Sequence, residues 1–294
     1  MQENYELWLA NKRFASQEER LHPKQRYEFH NILERYLLAR DNRVPNARQK
    51  LQQELKEKGI DITIKFPYRI EVQPQELLET ATDLEYGEFK LPLTPRVKNL
   101  IKRSSPEAVM SSALRYASLL PRGQQWSIPL SVAKILFADG FVNEGFASPF
   151  NSKFLTLKGR YYSLYPDTDK ALGSSGTFFT TNLVTVPGNW YLSPPWIESI
   201  MNRMVDQVLT AMSADDSKTY FIIIADWPDT PAYIKLKPVA FLHTTMKKGT
   251  YYYEDMENNK VPANFNTAVF VVGNEKGMSK EMFDEVISTW LEMK

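Results

Sequence analysis

The 294-residue chain contains no cysteine. That absence excludes a disulfide framework, thiolate zinc sites, iron–sulfur ligation and a cysteine nucleophile together. Histidine is nearly missing too. His22, His30 and His243 stand far apart, without the H-x-x-x-H or H-E-x-x-H spacing of a histidine-built metal site, so no metal is expected. An excess of either charge is also lacking: 36 basic residues face 35 acidic ones, and no whole-molecule attraction to nucleic acid or an anionic membrane follows. No apolar run approaches the roughly 18 residues of a spanning helix. Met1-Gln2-Glu3-Asn4-Tyr5 is neither a basic nor an apolar leader, so a soluble intracellular protein with no membrane partner is expected. Any chemistry then rests on hydroxyls, carboxylates, backbone groups, aromatics or a bound organic cofactor.

What is present is a globular composition, 43% hydrophobic and 24% charged, which argues against disorder. Two regions differ in pattern. In residues 1–104 the reading is mainly helical. Tyr27, Ile32, Leu33, Tyr36 and Leu37 fall at three- and four-residue spacings from Pro23 onward, Val44-Pro45 interrupts them, and a second helix with Leu51 and Leu55 stops at Gly59. Ile60, Ile62, Ile64 and Phe66 alternate with polar residues as a half-buried strand would, ending at Pro67. Acidic Glu71–Glu88 and basic Arg96–Arg103 read as solvated faces.

In residues 105–294 strands and helices alternate. Ser105-Pro106 opens a helix whose apolar face is Val109, Met110, Ala113, Leu114 and Ala117, and which stops near Pro121-Arg122-Gly123. Strands are expected at Phe141–Ala147 and at Trp190–Leu192. Tyr220–Ala225 and Ala268–Val272 are continuous apolar runs that fit strands buried on both faces. Helices are expected from Ile197 through Val208 and after Ser279, with Phe283, Val286 and Trp290 on one stripe. This alternation predicts an α/β layer with a mostly parallel sheet, in which ligands sit beyond the carboxyl ends of the strands. Both the Ser148 loop and the Ser193 loop fall at such ends.

The most informative segment is Tyr191-Leu192-Ser193-Pro194-Pro195-Trp196. Two prolines fix their own dihedrals and remove two backbone donors, holding the Ser193 and Pro194 carbonyls outward. A planar substrate with an exocyclic amine suits this loop: the serine and a carbonyl accept the amine hydrogens, and Trp196 stacks on the ring for about 1–3 kcal/mol. No acid–base pair is needed when the electrophile is a sulfonium methyl, because positioning supplies most of the effect. A stiff strand-to-helix loop with Trp196 as a core anchor explains the same four residues about as well.

FASPFNSKF at 146–154, YPDTDKALGSSG at 165–176, SPPW at 193–196, FIIIADW at 221–227 and NTAVFVVGN at 266–274 resemble, in this order and at similar spacings, the phosphorylated-CTD-interacting-factor family of cap-specific adenosine N6-methyltransferases. The similarity extends over roughly residues 106–290. It implies a Rossmann-like methyltransferase core in residues 105–294, S-adenosyl-L-methionine as cofactor and RNA, with capped mRNA in view, as partner. Phe146, Ala147, Ser148, Pro149 and Asn151 would form a cofactor loop, with Asp167, Asp169, Gly173 and Ser174 beside it. The chain lacks a G-x-G-x-x-G fingerprint, and a turn after Pro166 accounts for the two aspartates nearly as well. The resemblance carries Ser193, Pro194, Pro195 and Trp196 into the catalytic position. Glu198, Trp227 and Thr250 would face the substrate, although Glu198 also suits the helix macrodipole.

Two departures matter. Asparagine usually opens the family's motif, and a serine there is familiar in methyltransferases acting on the cytosine amine. The two-tryptophan pattern of a WW domain is absent from residues 1–100, where Trp8 is the sole tryptophan, so a stand-alone member without that domain is expected. A non-catalytic member binding RNA or a partner enzyme, and a DNA amino-methyltransferase acting on adenine N6 or cytosine N4, are the competing readings.

Overall fold

A computed structural model of the chain describes residues 1–62, 70–121 and 125–291. The chain divides into two compact units, Met1–Arg122 and Gly123–Lys294.

The first unit contains helices α1 (Gln2–Ala15), α2 (Pro23–Asp41) and α3 (Ala47–Glu57), strands β1 (Leu77–Glu79), β2 (Asp83–Tyr86) and β3 (Phe89–Pro92), and helices α4 (Pro95–Arg103) and α5 (Pro106–Ala117). Pro23 and Pro106 open their helices, and the Ser105 hydroxyl accepts the Ala108 N–H at 3.1 Å. Because the units divide at Arg122, α5 packs with the N-terminal elements: Asn4 Nδ2 donates to Ser111 O at 3.0 Å and Asn11 Nδ2 to Ser118 O at 2.6 Å. The acidic stretch is more than a solvated face. Its alternate residues Leu84 and Tyr86 are buried in a three-stranded antiparallel sheet, and Tyr86 donates to Gln2 Oε1 at 2.7 Å. At the β2–β3 turn, Gly87 has φ +57°, and a Cβ there would lie 2.2 Å from the Tyr5 hydroxyl. Trp8 packs edge-on to Phe89 at 5.2 Å. Ile60 and Ile62 are buried outside any strand, and the rest of the expected strand, Thr63–Phe66 with Pro67, lies outside the described residues, as do Arg122 and Gly123.

The second unit contains α6 (Leu130–Ala138), β4 (Phe141–Ala147), α7 (Lys153–Thr156), β5 (Arg160–Ser163), α8 (Pro166–Asp169), β6 (Asn189–Leu192), α9 (Glu198–Ala214), β7 (Thr219–Ala225), α10 (Pro231–Leu236), β8 (Leu242–Met246), β9 (Tyr252–Glu254), β10 (Lys260–Pro262), β11 (Thr267–Gly273) and α11 (Lys280–Leu291). Six strands form one mixed sheet in the order β5-β4-β6-β7-β11-β8. Pairs β5/β4, β4/β6 and β6/β7 are parallel, while β11 runs against both β7 and β8. The expected parallel sheet thus carries one reversed strand, and β5 and β8 are its edges. The apolar runs of β7 and β11 occupy the interior, where both faces are covered.

Period-two alternation sorts the strand residues onto two cores. Tyr191, Phe221, Ile223, Val269 and Val271 face α6 and α11 through Val132, Leu136, Val286 and Trp290. Trp190, Leu192, Ile222, Ile224 and Phe270 face α9 and α10 through Met204, Val205, Val208 and Leu236. Helices therefore cover both sides of the sheet. Ser279 opens α11 by accepting the Met282 N–H at 3.1 Å. Among the described residues, no helix is long and apolar enough to cross a membrane.

Candidate functional site

The chain runs from β4 to β5 on one side and then crosses to β6 on the other side of β4. In open α/β sheets such a reversal leaves a crevice beyond the carboxyl ends of the two diverging strands. Here those ends are Ala147, leading into the Ser148 loop, and Leu192, leading into Ser193-Pro194-Pro195-Trp196.

The Ser148 loop is bound tightly to itself. The Ser148 N–H donates to Asn151 Oδ1 at 2.7 Å, and the Ser148 hydroxyl accepts the Phe150 and Asn151 N–H groups at 3.2 and 3.3 Å. That hydroxyl donates in turn to Gln125 Oε1 at 2.6 Å. Ser148, Pro149 and Asn151 are buried, whereas Phe146 and Ala147 are half-buried. Phe146 packs on Phe178 with ring centroids 4.7 Å apart.

Beyond β5, Asp167 is exposed and Asp169 fully buried, its carboxylate accepting the Thr168 hydroxyl at 3.2 Å. Both lie in the short helix α8. Gly173 takes φ +96°, which lets the chain return so that Ser174 Oγ meets Ser163 Oγ at 2.8 Å at the end of β5.

Beyond β6, Ser193 is half-buried. Pro194 is buried, and the Pro195 carbonyl accepts the Ile197 N–H at 2.7 Å, turning the chain into α9. Trp196 is half-buried, touches both cores and meets Phe265 edge-on at 4.4 Å. It is thus partly the core anchor that the sequence also allowed. Glu198 stands exposed in the first turn of α9.

The remaining expected residues lie beyond the carboxyl ends of further strands of the same sheet. Trp227 follows β7 and is 45% exposed. Thr250 follows β8, its hydroxyl donating to Lys247 O at 2.7 Å to close an exposed turn that holds Lys247 and Lys248. Asn266 ties these two loops together: its carbonyl accepts the Asp226 N–H at 3.2 Å and its Oδ1 accepts the Lys248 N–H at 3.0 Å. The Ser148, Asp167, Ser193, Trp227 and Thr250 segments therefore follow the carboxyl ends of strands of one sheet.

Sequence reasoning missed an aromatic wall at this end of the sheet. Trp126 stacks within 25° of Phe265 at 6.3 Å and within 23° of Tyr253 at 6.4 Å, and Phe265 carries Trp196 on its other contact. Trp126 and Phe265 are both half-buried. Behind the wall, Tyr251 donates to Phe265 O at 3.0 Å and shares a hydrogen bond of 2.5 Å with Thr267. Burial pushes the Tyr251 hydroxyl up to about 12 despite its hydrogen bonds to Thr267 and Tyr253. Tyr253 and Tyr191 are raised further, chiefly by complete burial. These phenols stay protonated near neutral pH and serve as hydrogen-bond partners, not bases. Among the described residues, no group of acidic or imidazole side chains is placed to hold a metal ion.

The sequence model described as the phosphorylated CTD interacting factor 1 WW domain matches residues 102–256, more than half of the chain. The matched span includes β4 through β8, five strands of the six-stranded sheet. No curated protein matches the chain.

Proposed function

The chain belongs to the phosphorylated CTD interacting factor 1 WW domain family, and from that premise we propose that it is an S-adenosyl-L-methionine-dependent methyltransferase acting on the exocyclic N6 amine of adenosine in RNA, at the cap-adjacent nucleotide of mRNA. The observation that carries the reading is the placement of the Ser148 and Ser193 loops on the two strand ends that flank the sheet's reversal point. The family model that matches residues 102–256 is itself described as a WW domain, although those residues include β4 through β8 of the six-stranded sheet. The phosphorylated CTD belongs to the family's description, and RNA is the partner proposed for this chain.

The donor set suits the cofactor. Exposed Asp167 offers a carboxylate to ribose hydroxyls or an ammonium group, half-buried Phe146 offers flat apolar surface, and the Ala147, Gly173 and Ser174 backbones allow close approach. When bound, S-adenosyl-L-methionine supplies an electrophilic methyl group on a sulfonium. Everything else falls to side chains. Ser193 Oγ and the Pro194 carbonyl accept the two amine hydrogens, which turns the nitrogen lone pair away from the base ring. The base lies against the wall of Trp196, Phe265 and Trp126, with Trp227 and Glu198 toward its flanks and Thr250 near the phosphates.

Serine in place of asparagine favours one second reading, a cytosine N4 or DNA amine. Incubation with labelled cofactor and matched capped RNA, uncapped RNA and DNA, followed by mass spectrometry of the released nucleosides, separates them. N6-methyladenosine from capped RNA is expected. Label confined to DNA overturns the substrate, and absence of cofactor binding at high micromolar concentration overturns the enzyme in favour of a non-catalytic RNA- or partner-binding protein.

A further inference from the structure

Ahead of α6, a short segment connects the Ser148 loop to the aromatic wall. Ser127 and Glu254 of β9 exchange backbone hydrogen bonds at 2.9 Å, Trp126 stacks into the wall, and Gln125 Oε1 accepts the Ser148 hydroxyl at 2.6 Å. Gln125 is half-buried, and among the described residues nothing accepts from its Nε2. An amide donor is thus left over between the loop and the wall.

Its neighbour sets the polarity of that amide. The Ser148 hydroxyl already accepts the Phe150 and Asn151 N–H groups, which occupies both of its lone pairs, so toward Gln125 it can only donate. Asn151 Oδ1, at 3.2 Å, is the more distant acceptor for the same proton. A separation of 2.6 Å also suits O–H···O and falls short of the roughly 2.7–3.2 Å of N–H···O. The oxygen of Gln125 therefore faces Ser148, and its N–H bonds turn away. A primary amide free to rotate reads donors and acceptors alike, whereas one held in this way reads only an acceptor.

A base lying flat on Trp126, Phe265 and Trp196 brings its hydrogen-bonding edge beside the residue that precedes Trp126. Ring nitrogens flank the amine on that edge: N1 and N7 in adenine, N3 in cytosine. Each is an acceptor. Resting on the methyl-transfer reading of this site, we propose that Gln125 is a specificity-determining residue whose Nε2 donates to the ring nitrogen beside the target amine, with Ser148 fixing the amide's polarity. A base with N–H in that place opposes donor to donor and is rejected.

Gln125→Glu isolates the donor. The carboxylate still accepts the Ser148 hydroxyl, so the loop keeps its tie, but it has no N–H to give. Its kcat/KM for capped RNA should fall about tenfold, with cofactor affinity by titration calorimetry held within about twofold. Fluorescence anisotropy then compares short capped RNAs carrying adenosine, 1-deazaadenosine or 7-deazaadenosine at the target nucleotide. One of the two analogues should bind the native protein about five- to tenfold more weakly than adenosine, which identifies the nitrogen that is read. In Gln125→Glu the same replacement should cost less than about twofold. Equal costs in both proteins, or two analogues that bind the native protein as adenosine does, overturn the proposal, as does native turnover in Gln125→Glu. Cofactor affinity weakened more than about tenfold with RNA affinity intact would give the amide to the cofactor and overturn it too. Should Gln125→Glu fail to fold, Gln125→Met, of similar length and without an N–H, takes its place in the same cycle. Native protein that methylates neither RNA nor DNA defeats the underlying reading, whereas active protein with equal analogue costs defeats this inference alone.

Discussion

Ser193 concentrates the site's chemistry in one oxygen. If that oxygen accepts from the amine, Ser193→Ala removes an interaction that strengthens as the nitrogen lone pair turns toward the methyl group, so kcat should fall by about tenfold or more. Cofactor affinity should hold within about twofold, since the hydrogen bond is to the target base. Isothermal titration with the cofactor beside steady-state kinetics checks both, and wild-type turnover in the alanine variant removes Ser193 from the proposed role. Residue by residue, the site was partly legible. Ser193-Pro194-Pro195-Trp196 is contiguous and chemically unusual, so a local reading reaches it. Trp126 and Phe265 are far apart in the chain and meet only because β9 and the β11 approach fold back on the segment ahead of α6, where Ser127 and Glu254 exchange backbone hydrogen bonds at 2.9 Å. Nothing in their immediate neighbours signals a partner.

Among the elements, β7, β11, α9 and α11 were evident because burial on both faces, or on one helical stripe, writes itself into apolar spacing. Strands β5 and β8 were not. They are edge strands, and Leu242-His243-Thr244-Thr245-Met246 carries the polar content that an open edge permits. Helix α1 escaped notice because Tyr5, Leu9, Ala10 and Phe14 are diluted by charged neighbours. One interaction holds elements together at the cost of desolvation. Lys153 at the start of α7 donates to Glu254 of β9 at 2.5 Å and to Asn258 Oδ1 at 2.7 Å, and its side chain is 2% exposed against 12% for Glu254. Glu254 also accepts the Leu130 N–H at 3.3 Å, so the pair ties α6, α7 and β9 together. Lys153→Met keeps the aliphatic stem but leaves a carboxylate without its cation in a nearly closed site. The expected loss is about 3–5 kcal/mol, read from the urea midpoint at unchanged slope. A loss under about 1 kcal/mol would mean that water reaches Glu254 and that the loops after β4 and β9 are tied by packing instead.

At the scale of the whole molecule, a formal charge of +1 leaves no broad field to draw in a polyanion. Binding RNA must then come from local contacts: a base held against the aromatic wall and a few phosphates met by loop cations, of which Lys247 and Lys248 sit exposed at the end of the sheet that carries the site. Counterion release turns this into a number. For single strands the slope of log affinity against log salt is about −0.7 per phosphate neutralised, so two to four contacts give a slope of about −1.5 to −3. Fluorescence anisotropy with a short capped RNA, titrated between about 50 and 200 mM salt, should fall in that range. Replacing Lys247 and Lys248 together with alanine should flatten the slope by about 1.4 while leaving cofactor affinity in place. A native slope steeper than about −6 would describe a chain that tracks an extended backbone, and recognition would then have to be sought on a basic surface such as the α4 face bearing Lys98, Lys102 and Arg103. A flat slope would leave base stacking without phosphate contact and remove the Lys247–Thr250 turn from the substrate side of the site.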